Sequence, residues 1–125
     1  MDITPLVPES IKTVQGYGPG FFRINGVLYR QSVFVVADKV VEISVDISGE
    51  LLKINSIEKS LCSVDDLELL LVGTGKSFRA LDADNHRALK ESGLSVDVMD
   101  SGAAARTYNV LIAEQRRAGA VLVSC

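Results

Sequence analysis

The sequence predicts an α/β fold: a mixed sheet with an antiparallel meander in its N-terminal half, a βαβαβ unit in its C-terminal half, and helices on the sheet faces. The segment from Leu69 to Val72 is apolar at every position. Such a run is typical of a parallel strand that helices cover on both faces. Two segments with helix caps follow it, and each leads into a further strand. In the first half, Asn25-Gly26 separates two apolar segments and predicts a hairpin.

The predicted meander consists of this hairpin and two further strands. The hairpin spans Phe21 to Arg30, because Asn-Gly fits a two-residue type I′ turn. Apolar strands are predicted at Ser32 to Ala37 and at Val40 to Val45. Ahead of the hairpin, Gln15 to Gly20 holds three glycines and a proline, so we expect a loop there.

The rest of the first half carries weaker signals. Residues 1–9 contain Pro5 and Pro8, which restrict helix formation, and we expect them to form an N-terminal arm. Leu51 to Ile54 predicts a short strand, and Ser56 to Leu61 predicts a single helical turn.

Helix caps mark the C-terminal half. Asp82 or Asp84 can cap a helix that runs to about Ser92, where Gly93 occupies the position at which a glycine often ends a helix. Ser95 to Met99 then alternates between apolar and polar residues, as a strand does.

A longer helix is predicted over roughly residues 102 to 118. Asp100 or Ser101 can cap its start, and Gly119 is expected at its end, before a last strand from Ala120 to Val123. The helical period places one set of side chains on the face that we expect to pack on the sheet. This set is Ala104, Tyr108, Leu111, Ile112 and Gln115. The opposite, half-polar face suits contact with a partner and comprises Arg106, Val110, Ala113 and Arg117.

The composition fits a single domain, residues 1–125. The apolar runs are far shorter than the roughly 18 residues of a membrane-spanning helix, so no membrane insertion is expected. The net charge is −3 without a basic stripe, so nucleic-acid binding is not expected either. The N-terminal residues resemble neither a secretory signal nor a mitochondrial presequence, which predicts a cytoplasmic location.

The segment Gly73 to Ser77, with the sequence GTGKS, shares features with two nucleotide-binding motifs. A complete phosphate-binding P-loop would need a glycine at Leu70. A dinucleotide fingerprint would need a third glycine at Phe78, where the helix must approach the strand closely. The missing glycines favour a plain strand-to-helix turn over a nucleotide site.

No catalytic, metal or cofactor site is predicted from the remaining polar residues. His86 is the only histidine, and its position on a short helix among charged residues suits a solvated or capping role. Asp82 and Asp84 are more typical of helix caps than of Mg²⁺ ligands. Cys62 and Cys125 lack the spacing of a zinc site, and we expect two unpaired thiols.

One ligand site is predicted from topology. Ligands of open α/β sheets bind where the carboxyl ends of parallel strands meet. The loops there are Gly73-Thr74-Gly75-Lys76 and Met99-Asp100-Ser101-Gly102, and both lead into helices. Helix N-termini favour an anion, with Lys76 and either Arg79 or Arg106 as counter-charges. The candidate ligand-binding residues are Gly73, Thr74, Gly75, Lys76, Asp100, Ser101, Arg106 and Asn109.

The segment LLLVGTG, followed by MDSGAAARTYNVLIAEQRRAGAVLV, resembles a widespread family of small α/β domains of unknown function. This family includes the mitochondrial complex I (NADH dehydrogenase) assembly factor 3 and an adipogenesis-associated cytosolic relative. The stretch GYGPGFFRINGVLY is also similar, so the resemblance covers nearly the whole chain from Ile11. The block ARTYNVL, with the later Glu114 and Arg116, is the specific part.

The resemblance implies a mixed sheet with flanking helices, no established catalytic activity, and protein binding during respiratory-complex assembly in some relatives. The positions that match the family pattern are Gly73, Thr74, Gly75, Met99, Ala105, Arg106, Thr107, Tyr108, Asn109, Leu111, Glu114 and Arg116. The chain departs from the pattern in three places. Ser77 to Asp84 lacks proline, Asp100-Ser101 follows Met99 where a threonine is common nearby, and Gln115 replaces a usual glycine. Without a mitochondrial presequence, a bacterial cytoplasmic member is expected.

Two classes of function follow. The first is a non-enzymatic protein-binding or assembly-factor-like module, which binds a protein partner or forms a homo-oligomer. The second is a small-molecule protein, either a binder of an anionic ligand or nucleotide or an enzyme, that uses the GTG and Asp100 loops. A ligand in a concave pocket between those loops would favour the second class, whereas a flat apolar patch elsewhere would favour the first. We expect the first class, with no catalysis and no cofactor.

Overall fold

A computed structural model describes residues 10–55, 61 and 66–124. Strands and helices with defined bounds follow one another along these residues. The strands are β1 (Val14–Gly18), β2 (Phe21–Ile24), β3 (Val27–Tyr29), β4 (Val33–Val36), β5 (Lys39–Glu42), β6 (Val45–Asp46), β7 (Lys53–Ile54), β8 (Leu69–Gly73), β9 (Ser95–Met99) and β10 (Ala118–Leu122). The helices are α1 (Ala83–Glu91) and α2 (Ser101–Ala113).

A five-stranded sheet occupies the centre of the described part of the chain, with the strand order β5-β4-β10-β8-β9. β8 pairs in parallel with both β9 and β10. β4 pairs antiparallel with β10 and with β5. The C-terminal half therefore forms the predicted βαβαβ unit around β8, and the carboxyl ends of its three parallel strands meet at one edge of the sheet.

The predicted antiparallel meander is confirmed, and its strands divide between two sheets. β4 and β5 join the central sheet, whereas β1, β2 and β3 form a separate antiparallel sheet. The type I′ hairpin between β2 and β3 is also confirmed, because Asn25 and Gly26 have φ angles of 47° and 81°. The predicted strand at Leu51 to Ile54 appears as β7, which pairs with β6.

The loop predicted for Gln15 to Gly20 is wrong over most of its length. Val14–Gly18 forms β1 and pairs antiparallel with β2, with a shift of register between Val14 and Gly16. Of the three glycines, Gly20 alone has φ in the left-handed region, at 76°. Pairing with a neighbouring strand therefore outweighs the weak strand preference of glycine.

Two other predictions lie wholly or largely outside the described residues. These are the N-terminal arm at residues 1–9 and the helical turn at Ser56 to Leu61, of which the structure describes residue 61 alone.

Helices cover both faces of the central sheet, as predicted. Successive side chains of a strand point to opposite faces, so each buried strand contributes to two cores. In the core on the α2 side, Leu71 of β8 lies in one cluster with Tyr108 of α2. In the core on the α1 side, Val72 lies in one cluster with Leu89 of α1. Burial on both faces explains why β8 is apolar without alternation.

The predicted helix caps are confirmed at both starts. The Asp82 carboxylate accepts hydrogen bonds from the first turn of α1, and that of Asp100 accepts one from the N–H of Ala103 in α2. At the end of α1, Gly93 has a φ of 82°, as expected for a glycine that terminates a helix.

The predicted end of the longer helix is wrong. α2 ends at Ala113 rather than near residue 118, and Gly119 lies within β10. The helix closes in a Schellman motif in which the N–H of Arg116 donates to the C=O of Leu111 at 2.9 Å. Gln115 takes the left-handed position of this motif, with a φ of 62°, and is exposed instead of packing on the sheet. Glycine adopts this conformation more easily than glutamine, which explains why the family pattern usually has a glycine at this position.

Two asparagine side chains attach the smaller sheets to the helices. The amide of Asn109 in α2 accepts from the N–H of Val14 at 2.9 Å and donates to its C=O at 2.7 Å. The amide of Asn85 in α1 binds the N–H and the C=O of Ile54 in the same way, at 2.8 and 3.1 Å. Each amide thereby replaces a neighbouring strand for one residue of β1 or β7.

We expect Asn85→Ala and Asn109→Ala each to lower the free energy of unfolding by about 2 kcal/mol, because a backbone N–H and C=O lose their partner inside the protein. Urea unfolding measures the change. The control is Asn55→Ala, whose side chain bonds Ser44 at the surface and whose loss should cost less than about 0.5 kcal/mol. Equal losses in all three variants would contradict this account.

The buried phenol of Tyr108 should make the free energy of unfolding depend on pH. Burial is the main cause that raises the pKa of its phenol, and the charge of Asp38 adds to it. The unfolded chain releases this proton at about pH 10, the pKa of an ordinary tyrosine, whereas the folded protein retains it to higher pH. Its contribution to stability is therefore fully present below that pH and is lost as the pH rises further. We expect urea unfolding between about pH 9 and 11 to show a steeper loss of stability for the wild type than for Tyr108→Phe; parallel profiles would refute it.

Candidate functional site

A cavity of about 510 Å³ lies at the carboxyl ends of β8 and β9, between the start of α2 and the turn that joins β1 to β2. Its size is within the range of small-molecule pockets. The lining residues are Tyr17, Gly18, Pro19, Phe22, Gly75, Lys76, Asp100, Ser101, Gly102 and Arg106. The cavity therefore joins the loop after β8, the loop after β9 and the β1-β2 hairpin.

The glycine turn after β8 permits close packing against α2. A Cβ atom at Gly73 would lie 2.8 Å from the Cα of Ser101 and 2.9 Å from the Cβ of Ala104. Gly75 has a φ of 107°, in the region that favours glycine, and its N–H donates to Ser101 Oγ at 2.8 Å. Both glycines of the GTG motif thus have a structural role.

Hydrogen bonds of Thr74 stabilise the same turn. Its buried hydroxyl donates to the C=O of Ser77 at 2.8 Å and accepts from the N–H of Arg79 at 3.0 Å. Its backbone N–H donates to the C=O of Met99 at 2.8 Å. The hydroxyl and the N–H of Thr74 therefore both bond within the protein.

Ser101 and Asp100 fix the start of α2. The Ser101 hydroxyl donates to the C=O of Val123 at 2.8 Å while it accepts from Gly75, so one atom joins α2, the GTG turn and the residue after β10. The Asp100 carboxylate accepts from the N–H of Ala103 at 2.8 Å. The Ser101 proton is donated to a backbone carbonyl and not to a base, so this hydroxyl lacks the arrangement of an activated nucleophile.

Two positively charged residues from different segments line the cavity. Lys76 follows the GTG turn, and Arg106 lies one helical turn beyond the start of α2. The guanidinium of Arg106 donates to the hydroxyl of Tyr17, which connects α2 with β1. Gly102 lies beneath this contact, since a Cβ atom there would lie 3.1 Å from Tyr17 Oη and 3.3 Å from Arg106 Nη1. With the partial charge of the α2 N-terminus, the two cations outweigh the single carboxylate of Asp100.

The structure brings together five of the eight predicted site residues. These are Gly75, Lys76, Asp100, Ser101 and Arg106. Gly73 and Thr74 support the turn from outside the lining, and Asn109 binds the backbone of Val14. That the five bind a ligand stays a prediction.

Sequence reasoning missed the side of the cavity that the β1-β2 hairpin forms. Tyr17, Gly18, Pro19 and Phe22 line this side. They belong to the stretch GYGPGFF, which was among the segments similar to the family. The shared tyrosine and glycines were a usable signal, but their distance from α2 in the chain concealed the contact.

A profile of the family described as "Protein of unknown function (DUF498/DUF598)" matches residues 14–123 of this chain. The chain belongs to this family. The match includes all of the segments that line the cavity, and it confirms the resemblance seen in the sequence.

Relatives in the family include proteins from bacteria and from an animal. An uncharacterised protein of Rhodobacter capsulatus is 33% identical over 110 residues, which cover 88% of this chain and 82% of the relative. The NADH dehydrogenase (ubiquinone) 1 alpha subcomplex assembly factor 3 of Danio rerio is 28% identical over 110 residues. That match covers 88% of this chain but only 63% of the assembly factor.

A solved structure confirms the fold. The crystal structure of a protein named as an outer membrane protein, from Bartonella henselae, superposes with a TM-score of 0.79 at 33% identity. The superposition covers 93% of this chain and 97% of the other. Among the residues described for the present chain, no helix is long and apolar enough to cross a membrane.

We expect Gly73→Ala to lower the free energy of unfolding by about 1–3 kcal/mol, because the added methyl group would overlap the backbone of Ser101. Gly16→Ala is the matched control, since a Cβ atom at Gly16 meets nothing within 4 Å. It should change stability by less than about 0.5 kcal/mol. Chemical unfolding of both variants checks the difference, and similar losses would show that the close approach is not limiting.

Proposed function

We propose that this protein is a non-enzymatic binding module that acts in the bacterial cytoplasm and recognises a protein partner during assembly of a larger complex. The observation that carries the proposal is an exposed surface on the outer side of α2. We call it the α2 surface; it comprises Tyr17, Arg106 and Val110, whose side chains are all exposed.

The residue types of the α2 surface are those that protein interfaces use. Val110 lies one helical turn after Arg106 and is 55% exposed, while Tyr17 is 43% exposed and bonds Arg106. Tyrosine and arginine are enriched among the residues that contribute most to binding energy. Valine is β-branched and has a lower helix propensity than the residues that are common at exposed helical positions. Contact with a partner therefore explains an exposed Val110 better than helix stability does.

The polar groups near the cavity support binding rather than catalysis. The hydroxyls of Thr74 and Ser101 each donate one structural hydrogen bond and accept another, so they are not free to act as nucleophiles. The assembly role is suggested by the name of the Danio rerio relative, which aligns with 88% of this chain.

The test is quantitative affinity purification of the tagged protein from its native cells. We expect Val110→Asp to reduce enrichment of the partner at least about tenfold, because a desolvated carboxylate in an apolar contact is strongly unfavourable. Val27→Asp is the matched control, since Val27 on β3 is exposed to 51% and lies outside the α2 surface. It should retain the partner.

A second copy of the chain is the other partner that the α2 surface could bind. Sedimentation analysis distinguishes it: a mass that rises with concentration for the wild type and for Val27→Asp, but not for Val110→Asp, would identify a homo-oligomer. Retention of the partner in Val110→Asp would overturn the proposal, as would failure to enrich any protein over the tag alone.

A further inference from the structure

We propose that the cavity binds the carboxylate of a ligand with an apolar body, with Arg106 as the principal cation and Lys76 as the second. The proposal does not rest on the protein-binding function, because Val110 does not line the cavity. It states which class of ligand the cavity binds.

The cations are placed to receive one negative group. Arg106 and Lys76 come from different elements and both line the same cavity. A guanidinium offers paired N–H donors that match the two oxygens of a carboxylate, whereas an ammonium acts as a point charge. Tyr17 holds the guanidinium of Arg106 through one nitrogen, Nη1, so further N–H groups remain for a ligand.

The start of α2 adds a donor to this arrangement. Within the described part of the chain, the N–H groups of Ser101, Ala103 and Ala104 donate to protein oxygens, whereas that of Gly102 has no protein acceptor. Gly102 lines the cavity between Asp100 and Arg106. Since this N–H has no acceptor among the described residues, it can donate to an oxygen of the ligand.

Part of the cavity wall is apolar. This part comprises Phe22, which is buried, Pro19 and the ring of Tyr17. Such a wall excludes water from the body of a ligand and favours a hydrocarbon or aromatic group over a sugar. The cavity lining therefore combines cationic and apolar residues, as an organic acid requires.

A carboxylate fits better than a phosphate for two reasons. The N–H groups of Thr74 and Gly75 donate to Met99 and Ser101, so the GTG turn cannot surround a phosphate with free amides. The Asp100 carboxylate also lines the cavity and would repel the second charge of a phosphate dianion. A single negative charge meets less repulsion from Asp100.

The same chemistry could come from a free organic acid or from the C-terminal carboxylate of a protein. The test is amide chemical-shift titration of the ¹⁵N-labelled protein. Sodium benzoate is the first probe, benzamide its uncharged counterpart, and inorganic phosphate the competing anion. We expect benzoate to shift the amides of Gly75, Lys76 and Gly102 together with saturation, and benzamide and phosphate to bind more weakly.

Three variants locate the cations. Arg106→Gln should weaken benzoate binding at least about tenfold, because the charge-assisted hydrogen bonds are lost, and Lys76→Gln should weaken it less. Lys90→Gln removes a positive charge from the last turn of α1 and should leave binding unchanged. Arg106 and Lys76 are exposed, so all variants should retain the wild-type spectrum outside the cavity.

A short peptide that ends in phenylalanine, with a free or an amidated C-terminus, distinguishes the two sources. Tighter binding of the free-acid peptide than of benzoate supports a protein terminus, and the reverse supports a small organic acid. The proposal is overturned if those three amides do not respond, if benzamide binds as well as benzoate, if phosphate binds more tightly, or if Arg106→Gln behaves like Lys90→Gln. A partner retained by Val110→Asp would remove the proposed function and leave this result unaffected.

Discussion

The close approach of α2 to the end of β8 is the contact on which the rest of the structure depends. It requires Gly73, because any Cβ atom there would overlap the backbone of Ser101. Once α2 is seated, the Ser101 hydroxyl joins the GTG turn to the C=O of Val123, just after β10. A loss of this contact would therefore disturb both the sheet edge and the start of the helix.

The cavity depends on the contacts between α2 and the segment that contains β1. The amide of Asn109 binds both backbone groups of Val14, and the hydroxyl of Tyr108 donates to the C=O of Lys12 at 2.8 Å. These contacts attach β1 along α2 and bring the β1-β2 turn over the start of the helix. Tyr17 then reaches Arg106, and both residues line the cavity. Residues that the family shares in ARTYNVL thus build the site as well as line it.

Arg106 belongs to both proposals, since it contributes to the α2 surface and to the cavity lining. A ligand in the cavity would bind the N–H groups of the Arg106 guanidinium that the hydroxyl of Tyr17 does not use. The two sites therefore share one side chain. Val110→Asp changes the α2 surface alone and Lys76→Gln changes the cavity alone, whereas Arg106→Gln changes both.

Features that depend on a few neighbouring residues could be predicted from the sequence. Asn25-Gly26 specified the hairpin turn, the Asp100 carboxylate specified the start of α2, and the apolar run from Leu69 specified a strand buried on both faces. The tertiary structure makes the glycine-rich segment after Val14 a strand, because its partner is β2 rather than anything within the segment. It also decided the composition of the site: Tyr17 and Arg106 are 89 residues apart in the chain. Their meeting depends on how α2 packs on the sheet, which no local pattern encodes.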